Sequence, residues 1–142
     1  MKQYQTYHDC GKPYCRVVDD EGKQHFPDHA RISSEIYAKY FDYPASPTPP
    51  NFPDSHLITL MISDDMNFHT LKSEELNKWF KLHENNPKYL CSLYLTAWAE
   101  IISNSKMFGG MESTSYKIKR KTLIGCAKRL YTLFEKRTCL TR

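Results

Sequence analysis

The sequence predicts an all-α fold, a helical bundle with at most one short β-hairpin, and three observations predict it. Apolar residues recur at helical spacing in five segments after residue 28. Strand signals are confined to residues 15–18 and 114–118. Five of the eight prolines, Pro44, Pro47, Pro49, Pro50 and Pro53, fall in one stretch, so 44–53 reads as an internal surface loop.

In chain order, residues 14–27 form a loop or short hairpin around Asp19-Asp20-Glu21-Gly22, where Gly22 meets a positive φ at little cost. Asp28 is a candidate cap for a helix over 29–42, with Ile32, Ile36, Tyr37, Tyr40 and Phe41 at helical spacing. Asp54 or Ser55 caps a short apolar helix bearing Leu57, Ile58, Met61 and Ile62, which ends at Asp64-Asp65. Ser73 caps the next helix, whose Glu74 and Glu75 suit the positive end of a helix dipole and which Asn85-Asn86-Pro87 stops. Residues 88–107 carry a broad apolar face suited to a central helix, and Gly109-Gly110 ends it. Leu123, Ile124, Ala127, Leu130, Tyr131 and Phe134 mark the last helix, with Lys121, Lys128, Arg129 and Lys136 on its other faces.

A chain of 142 residues with 40% apolar composition supports one core, so 1–142 is expected to form a single domain. Its longest apolar stretches, Leu57 to Ile62 and Leu93 to Ile102, fall short of the roughly 20 residues that a membrane span requires. The opening residues lack the apolar run of a secretory signal, and the five cysteines, 10, 15, 91, 126 and 139, include no CxxC pair. Free thiols in a reducing, cytoplasmic setting are the expectation. The net charge of +4 hides an asymmetry. From Lys117 onward nine Lys or Arg face the single Glu135, whereas residues 1–116 hold 11 cations and 15 carboxylates. The basic loop and helix over 113–142 therefore point to a polyanionic partner.

The chemistry concentrates near the N-terminus. In His8-Asp9 a neutral imidazole and a carboxylate stand side by side, a pair that can share a divalent ion. It is followed by Gly11-Lys12-Pro13, then by Asp20-Glu21-Gly22-Lys23, then by Phe26, His29 and Ser33. A zinc site drawn from His8, Cys10, Cys15, His25 and His29 matches no standard knuckle spacing.

This run resembles the HD-domain superfamily, in the branch whose pattern is HDxGKP, an acidic-glycine turn, and F-x-x-H-x-x-x-S at the next helix. Similar modules accompany tRNA nucleotidyltransferases and some polynucleotide kinases. The likeness is dense over residues 7–42 and thinner beyond. It implies an HD-like helical bundle in which His8 and Asp9 ligate a divalent metal (Mn, Mg, Fe, Co or Ni) and His29 binds a second metal or the substrate phosphate. Asp9 and Lys12 would carry the catalysis, Lys12 as a charge on the phosphate with Arg16 beside it. The family also implies a His on a preceding helix, and the seven residues before His8 contain none. Later motif positions hold Ser63-Asp64-Asp65, His69 and Glu100, so Asp64 or Asp65, and Glu100, are candidate substitute metal ligands and His69 a candidate substrate contact. Each also has a plain structural reading: a helix-end carboxylate, a boundary residue at the core, a packed imidazole.

Segment 113–121 interleaves hydroxyls with Tyr116, Lys117, Lys119, Arg120 and Lys121, a pattern that can follow a nucleic-acid backbone with the tyrosine stacking on a base, or can simply be solvated. Two function classes follow. One is a metal-dependent phosphohydrolase acting on a nucleotide or on a terminal or cyclic phosphate of RNA. The other is a catalytically degenerate binding protein of viral, phage or mobile-element type that holds a nucleotide, nucleic acid or partner protein. Self-association through Trp79, Phe80, Tyr131 and Phe134 competes with their use in the core.

Overall fold

The computed structural model describes residues 2–41 and 55–140, with backbone alone for 136–140; the proline-rich stretch, Asp42, the candidate cap Asp54, Lys136 and Cys139 lie outside what it describes in full. The fold is all-α with one two-stranded hairpin, as the sequence predicts. No helix among the described residues is long and apolar enough to cross a membrane. Contacts gather into two compact units, Met1–Met66 and Asn67–Arg142.

The first unit opens with α1 (Lys2–Tyr7), runs through a 3-10 turn at Lys12–Tyr14 and the hairpin β1 (Val17–Val18) and β2 (Gln24–His25), and continues with α2 (His29–Phe41) and α3 (Ser55–Ser63). The strands are antiparallel, Val17 opposite His25 and Val18 opposite Gln24. One carboxylate organises their turn. Asp19 Oδ1 accepts the backbone N–H of Glu21 (3.1 Å) and of Lys23 (2.8 Å), Oδ2 takes His25 Nε2 at 2.7 Å, and Gly22 turns at φ +78°.

Helix α2 starts where the Asp28 carbonyl accepts the Ile32 N–H at 3.1 Å, but Asp28 sits at φ +57°, a left-handed conformation that Asp tolerates, rather than in the extended geometry of a side-chain cap. Its buried face is Ala30, Ser33, Ser34 and Tyr37, while Tyr40 is exposed. Of the stripe the sequence suggests, Tyr37 is buried, Ile32, Ile36 and Phe41 are half-buried and Tyr40 is exposed, because the small Ser33 must face the Gly11 turn. Tyr37 and Phe41 pack with Tyr7 of α1 at ring separations of 4.6 to 5.5 Å. Helix α3 buries Ile58, Met61 and Ile62, and α2 packs along it.

The second unit comprises α4 (Asn67–Thr70), α5 (Ser73–Leu82), α6 (Pro87–Ser103), a 3-10 turn at Ser105–Phe108, and α7 (Thr114–Leu140). Ser73 is the first residue of α5 rather than its cap, and Glu75 reaches back to the Lys72 N–H at 3.0 Å. Asn86 caps α6 by accepting the Tyr89 N–H at 3.1 Å, with Pro87 in the first turn, where its missing N–H costs nothing. Phe68 packs edge-on to Trp79 and Tyr94, with ring centroids 5.4 and 5.6 Å away, among the buried Leu76, Phe80, Tyr89, Leu93, Leu123 and Leu130. Trp79 and Phe80 are therefore core residues, whereas Tyr131 is exposed.

Residues 114–118, a weak strand signal in the sequence, are the first turn of α7. Ser113 decides this: its carbonyl accepts the Lys117 N–H at 3.0 Å and its hydroxyl accepts the Tyr116 N–H at 3.2 Å. The basic segment is a helix rather than an open loop.

The hairpin yields a pH dependence. The His25 hydrogen bond, followed by the Lys23 N–H, holds the Asp19 carboxyl below its ordinary value. A carboxyl lowered in the folded state contributes stability above its unfolded value of about 3.9 and loses it as pH falls through the folded value. An NMR titration is expected to show Asp19 protonating below the reference range, and His25→Ala is expected to move it back up; an unchanged midpoint in that variant would contradict the assignment.

Candidate functional site

The His8-Asp9 doublet lies where α1 has just ended and the chain turns toward Lys12–Tyr14. The His8 N–H still bonds the Tyr4 carbonyl at 2.8 Å, and the Lys12 N–H closes onto the Asp9 carbonyl at 3.1 Å. What places this turn against α2 is Gly11. Its N–H donates to Ser33 Oγ at 2.8 Å, and a Cβ at this position would stand 2.7 Å from both the His29 carbonyl oxygen and the Ser33 nitrogen. Only glycine lets the turn and the first turns of α2 come this close.

That approach brings together four residues predicted to act together: His8, Asp9, Lys12 and His29. His8 Nε2 is 3.5 Å from Asp9 Oδ2, and His29 Nε2 is 3.7 Å from Oδ1. Lys12 Nζ is 2.6 Å from Oδ2 and 5.7 Å from the centre of the Phe26 ring. Both imidazoles are pinned from behind, His8 Nδ1 to the Gln5 carbonyl at 3.2 Å and His29 Nδ1 to the Phe26 carbonyl at 2.9 Å. A carbonyl only accepts, so each Nδ1 carries the proton, and in the neutral ring each Nε2 presents its lone pair. Two lone pairs beside one carboxylate form an electron-rich cluster, which the Lys12 ammonium partly neutralises from Oδ2. The His8 and His29 side chains are 13% and 14% exposed and Asp9 is 38% exposed, so the cluster opens to solvent on the carboxylate side.

The site also contains Tyr4, which the sequence did not single out. Tyr4 stacks on His8 at 5.2 Å between ring centres, and its hydroxyl donates to the buried Asp65 carboxylate. Asp65, the second of the acidic pair after α3, is thereby tied to His8 through Tyr4. Asp64, the other candidate ligand, is half-buried, and its N–H bonds the Leu60 carbonyl at 3.1 Å. Arg16 is exposed just before β1 and has no ion-pair partner among the described residues. Cys10 and Cys15 point their thiols at the Ser33 and Gly11 carbonyls, at 3.8 and 3.4 Å, and burial pushes the Cys10 thiol above its ordinary value.

The residues present match a metal in chemistry more than in arrangement. Two imidazoles and a carboxylate are a donor set for divalent transition metals, and the Nδ1–carbonyl bonds are the supporting contacts that such ligands use. Yet among the described residues no three or more His, Cys, Asp or Glu side chains form a ready-made metal cage, and the Lys12 ammonium already occupies one carboxylate oxygen.

In the second unit, His69 and Glu100 come together across α4 and α6, with Nε2 3.3 Å from Oε2, both largely buried. The pair is within ionic range but misaligned, and His69 Nε2 has no hydrogen-bond partner. The basic patch is spent differently from the expectation. Tyr116 is 4% exposed and packed in the core, leaving no face for a base; Lys117 pairs with Glu112 at 3.0 Å; Lys119 lies over the Phe108 ring at 4.9 Å; and Arg120 is exposed. Comparisons with known protein families, with curated proteins and with solved structures find no match to this chain.

Gly11 supplies a direct test. Gly11→Ala forces a methyl group into space held by backbone atoms, and is expected to lower stability in urea unfolding by about 1 to 3 kcal/mol, the range for overpacking. Gly11 sits at φ −79°, so no positive-φ cost enters, and Gly125→Ala, where a Cβ meets nothing within 4 Å, is the control for the change of residue alone. A Gly11→Ala protein as stable as the parent would contradict the close approach.

Proposed function

We propose that His8, Asp9, Lys12 and His29 form a phosphate-ester site served by a divalent ion, and that the protein is a metal-dependent phosphohydrolase acting on a nucleotide or on a terminal or cyclic phosphate of RNA. One observation carries this reading: two imidazoles from separate elements, each held at Nδ1 by a backbone carbonyl, turn Nε2 toward a single solvent-facing carboxylate. The order of residues that resembles the HD superfamily supports it, because Gly11 and Ser33 of that pattern are the two that hold the turn to α2.

His8, Asp9 and His29 would hold the ion (Mn, Mg, Fe, Co or Ni), which supplies a lowered water pKa and charge neutralisation at phosphate oxygens. Asp9 also anchors Lys12, keeping an ammonium beside the carboxylate. A phosphate dianion competes for that ammonium, and Lys12 passes from one anion to the other as ligand enters. Tyr4 fixes the plane of the His8 ring by stacking. Arg16, exposed at the start of the hairpin, adds a second positive charge toward an incoming anion. The reading does not depend on Asp64, Glu100 or His69. Free thiols and the lack of a membrane-crossing helix among the described residues accord with a cytoplasmic site of action.

A second reading, a binding protein without turnover, is favoured by the 2.6 Å Lys12–Asp9 contact, which neutralises the carboxylate with no metal. Metal analysis after Mn2+ loading, combined with phosphate-release assays on nucleotides and on RNA 2′-, 3′- and cyclic phosphates, separates the two. The phosphohydrolase reading expects a stoichiometric ion and turnover that falls at least 100-fold in Asp9→Asn, about 3 kcal/mol of lost transition-state stabilisation. Neither metal nor turnover in the parent protein would leave only the binding reading.

A further inference from the structure

Within the 113–121 patch Lys117 and Lys119 are engaged but Lys121 is not, and it lies beside further cations of the second unit that have no ion-pair partner among the described residues. Between α5 and α7 is a cavity of about 530 Å³ whose lining includes Asn77, Lys81, Glu84, Lys128, Arg129 and Thr132. A second, of about 320 Å³, is lined by Ser73, Lys121, Thr122, Cys126 and Arg129 among others. Arg129 borders both, so the two follow one another along the α5 and α7 pair as a trough with Arg129 at its middle. Its guanidinium is already oriented, Nη2 donating to Ser73 Oγ at 2.9 Å and Nη1 to the Ser73 carbonyl at 3.4 Å. Lys81, Lys121 and Lys128 are exposed and have no ion-pair partner among the described residues, and the single carboxylate lining the trough is Glu84.

Length and donor chemistry select the occupant. Lys121 and Lys128 are two helical turns apart on one face of α7, about 10.5 Å along the axis at 1.5 Å per residue, so the cations form a row rather than a single point. Among largely apolar lining, three ammoniums and a guanidinium face one carboxylate, and a phosphodiester chain brings a negative charge with acceptor oxygens at every repeat to such a row. Phe80 lines the trough but is itself 3% exposed, so no aromatic face is available to select bases.

We infer that the trough between α5 and α7 binds the phosphodiester backbone of a single-stranded nucleic acid, independently of base sequence, with Arg129 at its centre and Lys81, Lys121 and Lys128 along it. This site is separate from the His8–Asp9 cluster and does not require it.

The test is fluorescence anisotropy with a labelled single-stranded oligonucleotide in RNA and DNA forms, a duplex of the same sequence and poly-glutamate, with chelator present throughout so that metal binding plays no part. Single strands are expected to bind regardless of sequence, with log affinity falling against log salt at a slope of about −2 to −3, since four contacts contribute about 0.7 each. Lys121→Ala and Lys128→Ala, both at exposed positions, should each weaken binding several-fold and flatten the slope by about 0.7 to 1. Preference for RNA over DNA would assign a contact to the 2′-hydroxyl, and equal affinity would leave the backbone as the sole determinant; both support the trough. No binding at low salt, an unchanged slope in both variants, or equal affinity for poly-glutamate overturns it.

Discussion

Everything assembled around Asp9 depends on the absence of a side chain at Gly11. With 2.7 Å between a would-be Cβ and the backbone of His29 and Ser33, the Asp9–Lys12 turn and the start of α2 form one rigid piece, fastened by the Gly11 N–H to Ser33 Oγ bond. The same constraint explains α2, which buries Ala30, Ser33 and Ser34 where larger apolar residues would push the turn away. Ile32 and Ile36 are accordingly only half-buried, although their spacing alone would have placed them at the centre of the core. Packing density elsewhere follows from this choice, since Tyr37 and Phe41, with Tyr7 from α1, fill the space beyond the small residues.

Electrostatically, the cluster is a carboxylate surrounded by groups that are each committed on their far side. Both imidazoles give their Nδ1 proton to a carbonyl, and Lys12 shares its charge between Asp9 and the Phe26 ring. Such a site is built to receive positive charge on the carboxylate or negative charge at Lys12, and the phosphohydrolase reading uses both. The trough of the second unit is simpler, with three unpaired ammonium groups and an oriented guanidinium against one carboxylate, suited to backbone contacts without chemistry.

The sequence made the His8, Asp9, Lys12 and His29 constellation legible because its spacing is short and because glycine and proline there have narrow physical meanings. The larger helices were legible from periodicity, and Asn85-Asn86-Pro87 as the stop after α5, whereas the Asn86 cap on α6 is a finding of the structure. Other features depend on tertiary contacts that no local pattern encodes. Helix α1 is too short for a periodic signal, so Tyr4 and its link to Asp65 went unseen. The pairing of His69 with Glu100, 31 positions apart, is set by packing of α4 on α6. Tyr116 read as an available aromatic because Ser113 was not recognised as the cap that makes 114–118 helical and turns the ring inward. The unpaired cations of α7 were visible as charge, and their trough required α5 beside it.

The central claim, that two carbonyl-pinned imidazoles converge on one carboxylate, is tested most directly by nitrogen NMR of the histidine rings. Above the ordinary imidazole range, at about pH 8, His8 and His29 should both show a protonated Nδ1 and a bare Nε2. Substoichiometric Mn2+ should then broaden the two Nε2 signals together. Protonated Nε2 in either ring, or broadening confined to one of them, would contradict a shared site at Asp9.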